Sequence, residues 1–462
     1  MHRPSLFLTA VLSLAATIAG AAPLAMTKVT IIDATGRPPV ADGVIVMDNG
    51  RIVAVGPAAT VTIPHNAKVI DKAGKYVIPG LMDASLHLFV DLDVSTLILY
   101  QHRYSDIVME AAQLALKNGE TTVFDTWGPY ADLKAIRERI NTGRSVGPRV
   151  FFGGNIIGVG GPVSEDFRED FRGLLRYDTI DYVNRHWVQG VGADLLWDTS
   201  DEVAKKVAIY AAKDVDFLRY ISNSRTDKAL VAFSQESQNA IVKAGHDKHK
   251  TVQADVYSVA GMLQAIDAGA DILAHCDMTP ERTIPEEIIH EMAAKKVSCS
   301  VLPVTKAYRE SQGKELGTDY LHSWANIKNL IDGGVNVMLS TDAIMAYPPA
   351  NGDPGGLKPE DGTRLGNGLF FALAGLEQIG IEPMKALQAA TINIARGYRL
   401  DKDLGTLEVG KYADMVVLDA NPLASASGYK SINMVIKSGE IVDLGKLPRE
   451  PLISNQKASS SN

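Results

Sequence analysis

The chain has 462 residues, of which 46% are apolar and 22% charged, and a net charge of -8. That length exceeds one small domain and leaves room for a barrel of about 250 residues plus a second module. The acidic balance gives no support to nucleic-acid binding; it favours solubility and says little about substrate.

His2 and Arg3 precede an apolar stretch from Leu6 to Ile18, then Ala19-Gly20-Ala21. This is the charged, apolar and small-residue order of a secretory signal, and it falls short of the ~20 apolar residues a membrane span needs. Residues 1–21 are therefore expected to be removed. The mature chain would start near Ala22, be periplasmic or secreted, and have no membrane association. Cys276 and Cys299 are the two cysteines. Export permits a disulfide, and their neighbouring strands make one geometrically feasible. Two buried free thiols are the expectation.

Thr27–Ile32, Gly43–Met47, Arg51–Val55 and Lys68–Ile70 are short β-rich runs. Asp48-Asn49-Gly50 predicts a hairpin turn, because Asn and Gly accept positive φ. Residues 22–76 thus read as an antiparallel β module. Val77–Leu88 then reads V-I-P-G-L-M-D-A-S-L-H-L, an apolar run through Pro79-Gly80 that ends in polar residues. It predicts a buried strand with Ser85 and His87 on one side.

Strands then alternate with amphipathic helices. The helices are predicted over Ser105–Asn118, Leu133–Thr142, Glu202–Lys213, Lys228–Ala244, Val259–Ala268, Pro285–Lys295 and Leu321–Asp332. The strands after them are Thr121–Asp125, Arg149–Gly153, Phe217–Ile221, Thr251–Val256, Ile272–His275, Ser298–Leu302 and Asn336–Ser340. With Val77–Met82 that makes eight, an α/β pattern for a parallel sheet wrapped by helices over residues 77–400. Gly158–Val188 is read as a lid or rim. Leu404–Val409, Met415–Leu418 and Ile432–Val442 return to β character over residues 401–445. The polar, Ser-rich tail 446–462 is expected to be disordered.

The Val77–Leu88 stretch resembles the first barrel strand of the amidohydrolase superfamily, whose pattern there is P-G-x-x-D-x-H-x-H. Gly405–Leu423, G-T-L-E-V-G-K-Y-A-D-M-V-V-L-D-A-N-P-L, resembles the C-terminal β segment of the imidazolonepropionase-like branch. The resemblance implies a (β/α)8 TIM-like barrel with a small β-sandwich built from both chain ends. It also implies metal ligands at five strand ends, and three of six have changed. Strand one offers Ser85 and His87, strand four Arg219 in place of a carboxylated Lys, and strand five Asp255 in place of His. His275 on strand six and Asp342 on strand eight are kept.

Arg219 stays cationic and cannot become a bridging anion, so a binuclear centre is not expected. His87, Asp255, His275 and Asp342 could hold at most one divalent ion, zinc first, with a water in the open position. Without metal, Arg219 would pair bidentately with Asp255 or Asp342. A plainer reading makes His275 a strand-end histidine bonded to Asp342, and Asp255 a polar rim residue. His246 and His249 read as surface residues, and His102 and His322 as outer-helix residues. Trp127, Tyr130, Trp187, Trp197 and Tyr347 suit an aromatic pocket or ordinary packing equally.

By the resemblance, the chain is an exported hydrolase of a small-molecule C–N or related ester bond. Asp342 would handle the proton, His275 would polarise the carbonyl, Arg219 would stabilise the oxyanion, and Asp255 would complete the catalytic set. A lyase, isomerase or cyclase on the same scaffold, or an inactive binding protein, is the alternative. A homo-oligomer is compatible with all of these. No G-x-S-x-G elbow or P-loop competes.

Overall fold

The structure is a computed structural model describing residues 22–89, 94–165, 173–224, 230–311, 320–345 and 365–454. Both ends of the chain enter one eight-stranded sheet. Leu24–Ile31 pairs antiparallel with Val40–Asp48, which turns into Arg51–Pro57. The turn works as its sequence requires: Asn49 and Gly50 have φ of 48° and 77°. From the other end, Met415–Leu418 pairs antiparallel with Tyr76–Pro79, placing Val416 opposite Ile78. Ile432–Lys437 continues outward. Met26, Ile45, Ile52, Val77, Met415, Val417 and Ile436 pack into the apolar cluster these strands enclose. Neither end could bury its share of that face alone.

The predicted first strand is divided at Gly80. Tyr76–Pro79 belongs to the β module and Leu81–His87 to the barrel. A Cβ on Gly80 would lie 2.0 Å from Thr121 Oγ1, so only glycine lets the chain cross at this point.

The barrel strands, all parallel, are Leu81–His87, Glu120–Asp125, Arg149–Phe152 continued by Ile156–Ile157, Phe217–Ile221, Thr251–Asp255, Ile272–Ala274, Ser298–Val301, and Val337–Leu339 continued by Ala343–Ile344. The third and eighth are each split. One half of the third pairs with strand two and the other with strand four. The halves of the eighth pair with strands seven and one. The eight positions therefore run round a ring. Met82, Phe124, Phe217, Ile272 and Met338 fill its interior above Ile392, Ile394 and Tyr398. These last belong to the helical stretch Gly368–Ile379, Pro383–Ala389 and Ile392–Gly397, which the strand count missed.

Several expectations are corrected. Cys276 and Cys299 form a disulfide rather than two free thiols, because adjacent parallel strands bring their Cα atoms to 6.1 Å. The helix expected from Lys228 begins at Gln235, where the Ser234 hydroxyl accepts the Ser237 N–H. Leu404–Val409 forms no strand. The tail is ordered as far as Ser454: the Glu110 carboxylate accepts the N–H groups of Leu452, Ile453 and Ser454 at 2.7–2.9 Å. Residues 455–462, 166–172 of the expected rim, and Tyr347 lie outside the described residues. No helix among the described residues is long and apolar enough to cross a membrane.

Candidate active site

Strands one, four, five, six and eight deliver Ser85, His87, Arg219, Asp255, His275 and Asp342 to the carboxyl end of the barrel, where such folds do their chemistry. Arg219 is at the centre and is 2% exposed. Its Nε and Nη2 donate to Asp255 Oδ1 at 3.0 and 2.5 Å. Nη2 also lies 2.9 Å from His275 Nε2. Nη1 donates to Thr126 Oγ1 and, at 3.3 Å, to Ser85 Oγ. A guanidinium has five N–H groups, and these contacts engage all five. Burial alone would lower the Arg219 pKa, but Asp255 and Asp342 raise it above its usual value.

These contacts settle some proton positions. A guanidinium only donates, so His275 Nε2 is the acceptor and a proton on that ring sits at Nδ1. His87 Nε2 lies 3.0 Å from Asp342 Oδ1 and donates to it, since an ionised carboxylate only accepts. Ser85 Oγ approaches the same oxygen at 3.4 Å, and His275 Nε2 stands 3.8 Å away. Burial pushes Asp342 up, but the His87 imidazole that donates to it and the Arg219 guanidinium hold the carboxyl well below its ordinary range. Its side chain is still 30% exposed, against 3% for Asp255. Asp342 thus opens to the mouth and Asp255 does not.

His275 and Asp342 both have left-handed backbone, φ 58° and 51°. Non-glycine residues hold that conformation only where their surroundings enforce it. For Asp342 part of the enforcement is Asp83. It accepts from Ser85 N at 3.1 Å, Thr341 N at 3.2 Å and Thr341 Oγ1 at 2.5 Å, lacing strand one to strand eight.

Thr126 and Tyr257 are site residues that the sequence reading passed over, and Asp83 entered it as a motif residue without a role. Tyr257 stacks on His275, with centroids 5.6 Å apart and planes 15° from parallel. Thr126 and Tyr257 each follow an aspartate at a strand end, in D-T-W and D-V-Y, and that position was the available signal. Of the proposed aromatics, Trp127 reaches the site, edge-on to His87 and donating to Asn155 Oδ1 at 2.8 Å. Trp187 is buried against Phe89, Trp197 is exposed, and Tyr130 packs on Phe152 behind the strands. His246 pairs with Asp271 away from the site, and His249 and His102 are exposed.

The family's paired metals do not fit these residues. Arg219 is cationic and supplies no bridging anion, and Ser85 brings no imidazole. A single ion on His87, His275 and Asp342 would need His275 Nε2 to turn from Arg219 Nη2. Among the described residues no cluster of three or more His, Cys, Asp or Glu is arranged as a metal cage.

A parallel eight-stranded barrel with acid, imidazole and guanidinium groups converging at its strand ends is the framework of a barrel hydrolase. The chain belongs to the amidohydrolase family, whose model matches residues 76–442. It is 26% identical over 391 residues to an ochratoxinase of Aspergillus niger, covering 79% of this chain and 75% of that one. It is 25% identical over 389 residues to an imidazolonepropionase of Streptomyces avermitilis, covering 82% and 81%. Among solved structures, molinate hydrolase superposes with a TM-score of 0.89 at 29% identity, covering 96% of this chain and 99% of that one. Phenylurea hydrolase B gives 0.89 at 29%, covering 94% and 100%.

Proposed function

We propose that the chain hydrolyses a C–N bond of a small molecule, an amide, cyclic amide or urea, or a related ester, at a centre where the Arg219–Asp255 pair replaces the family's bridged metals. The observation that carries this is the buried guanidinium between Asp255 and His275. A neighbour named as a phenylurea hydrolase supports the bond class, and one named as a molinate hydrolase supports hydrolysis of a small molecule.

In this reading Asp342 takes the proton of the attacking water, being the carboxylate open to the mouth, and gives it to the leaving nitrogen or oxygen as the C–N or C–O bond breaks, while His87 fixes its orientation. Arg219 works through its charge. The oxyanion role expected from sequence needs a free N–H, and all five are engaged. A fixed positive charge in a dry site still favours the anionic intermediate. Asp255 keeps that charge in place.

Hydrolysis of p-nitroacetanilide, phenylurea and p-nitrophenyl acetate tests the reading. The parent is expected to turn over at least one, and Asp342→Asn to lose about 100-fold or more. Equal rates for parent and variant on every probe would sink it. Metal analysis of the same preparation is expected to give at most one divalent ion per chain. We also propose that the protein works outside the cytoplasm, on the strength of the signal-like residues 1–21. N-terminal sequencing of exported protein should begin near Ala22, and an intact Met1 would count against it.

A further inference from the structure

The turn that carries His275 is tied down at two further successive residues. Cys276 is bonded to Cys299 of strand seven. Asp277 is buried; its carboxylate accepts Leu302 N–H at 3.2 Å and Ser323 Oγ–H at 2.6 Å, and its carbonyl accepts Asn326 Nδ2–H at 2.9 Å. Both sulfurs belong to the apolar layer behind the strands, whereas the imidazole meets Arg219 at the mouth.

Strands six and seven are already joined in register, with Leu273 opposite Cys299 and Ala274 opposite Ser300, and His275 N donates to Ser300 O at 3.0 Å. The bridge therefore connects no elements that were apart. Cys276 lies beyond the end of that ladder and bonds back to Cys299, a residue paired two steps before His275. Such a link fixes the turn itself. His275 needs this, because its φ of 58° is unfavourable for a residue with a Cβ. A released turn would relax toward extended backbone and swing the imidazole away from Arg219 and Asp342.

We infer that the Cys276–Cys299 bridge, backed by Asp277, is a positioning device for His275. The inference rests on His275 belonging to the hydrolytic site proposed above, and one readout is chosen that needs no substrate.

The test compares Cys276→Ala, Cys299→Ala and the double variant in the full chain. The imidazole signals of 13C-histidine-labelled protein are recorded, with His275 identified by its loss in His275→Gln. The three variants should move the His275 signal alike, since each removes the same bond. They should lower kcat on the responding probe about tenfold or more with little change in KM, as misplacement of a residue that holds the Arg219 guanidinium in register does. Asp277→Asn should move the same signal with the bridge intact, and it carries the test should the cysteine variants fail to fold. An unmoved signal and unchanged kcat, with only a lower melting temperature, would reduce the bridge to a staple and overturn the inference. A moved signal in a protein inert on every probe would uphold the positioning and reject the hydrolytic reading.

Discussion

Arg219→Met removes the charge at the centre of the site and leaves Asp255 buried without its partner. The side chains are 2% and 3% exposed, so solvent cannot compensate. Breaking a pair of this kind costs about 3–5 kcal/mol. Unfolding entropy of about 2.1 cal/mol/K per residue gives a chain of this length a shift of roughly 1 °C per kcal/mol, so the melting point should fall by about 3–5 °C. Asp255→Asn should cost a similar amount, because the guanidinium then lacks its counter-charge. In Arg219→Met/Asp255→Asn the losses should overlap, with a coupling of about 2–3 kcal/mol by guanidinium chloride titration. Arg219→Lys should fall between parent and Met, since an ammonium keeps the charge but has three donors for five contacts. Strict additivity, or a harmless Arg219→Met, would show that the pair does not organise the site.

Restoring Ser85→His, Arg219→Lys and Asp255→His together should produce metal binding beyond the parent's single ion or none, read by elemental analysis. Two ions per chain in the parent would refute the argument from Arg219. Burial raises Asp83 from 3.8 to about 7 despite its bonds to Thr341 and Ser85. A carboxyl with a raised folded pKa contributes stability below its unfolded value and loses it as pH climbs to the folded one. Chemical denaturation at stepped pH should therefore show Asp83→Asn gaining on the parent between about pH 4 and 7, and a constant difference would count against this. Deleting residues 404–442 should leave Val77, Ile78 and their neighbours uncovered and make the chain insoluble, with a soluble, cooperatively folding truncate as the contrary result.

The barrel was legible because each strand run is short, apolar and followed by a helical period, and because Pro79-Gly80 and Asp83 stand in a motif. The β module was legible from both ends because its runs are short and β-rich and its first turn is spelled in Asp48-Asn49-Gly50. What sequence could not give was the third dimension of the charges. It allowed Arg219 to meet Asp255, Asp342 or both, and register decides for Asp255: Ile221 stands opposite it on the neighbouring strand, which places Arg219 two residues below. Thr126 was passed over because a Thr after a strand-end aspartate is a weak signal until a guanidinium faces it. The disulfide was underrated because two cysteines 23 apart say nothing about register. Nothing in the sequence marks Glu110 either, whose carboxylate accepts three N–H groups of the tail.

Placed beside one another without a counter-charge, Asp255 and Asp342 would repel, and neither would have a distinct task. Arg219 makes them unequal. It engages Asp255 through two N–H groups and buries it, while Asp342 takes contacts from His87 and Ser85 and remains open. Two titratable groups whose surroundings separate them in this way divide the labour between them. Asp255 then belongs with stability and Asp342 with turnover. The two asparagine variants should separate accordingly: Asp255→Asn chiefly in the melting point, Asp342→Asn chiefly in the rate. If both lost stability alike and rate alike, the guanidinium would be a shared counter-ion and the division of roles would fall.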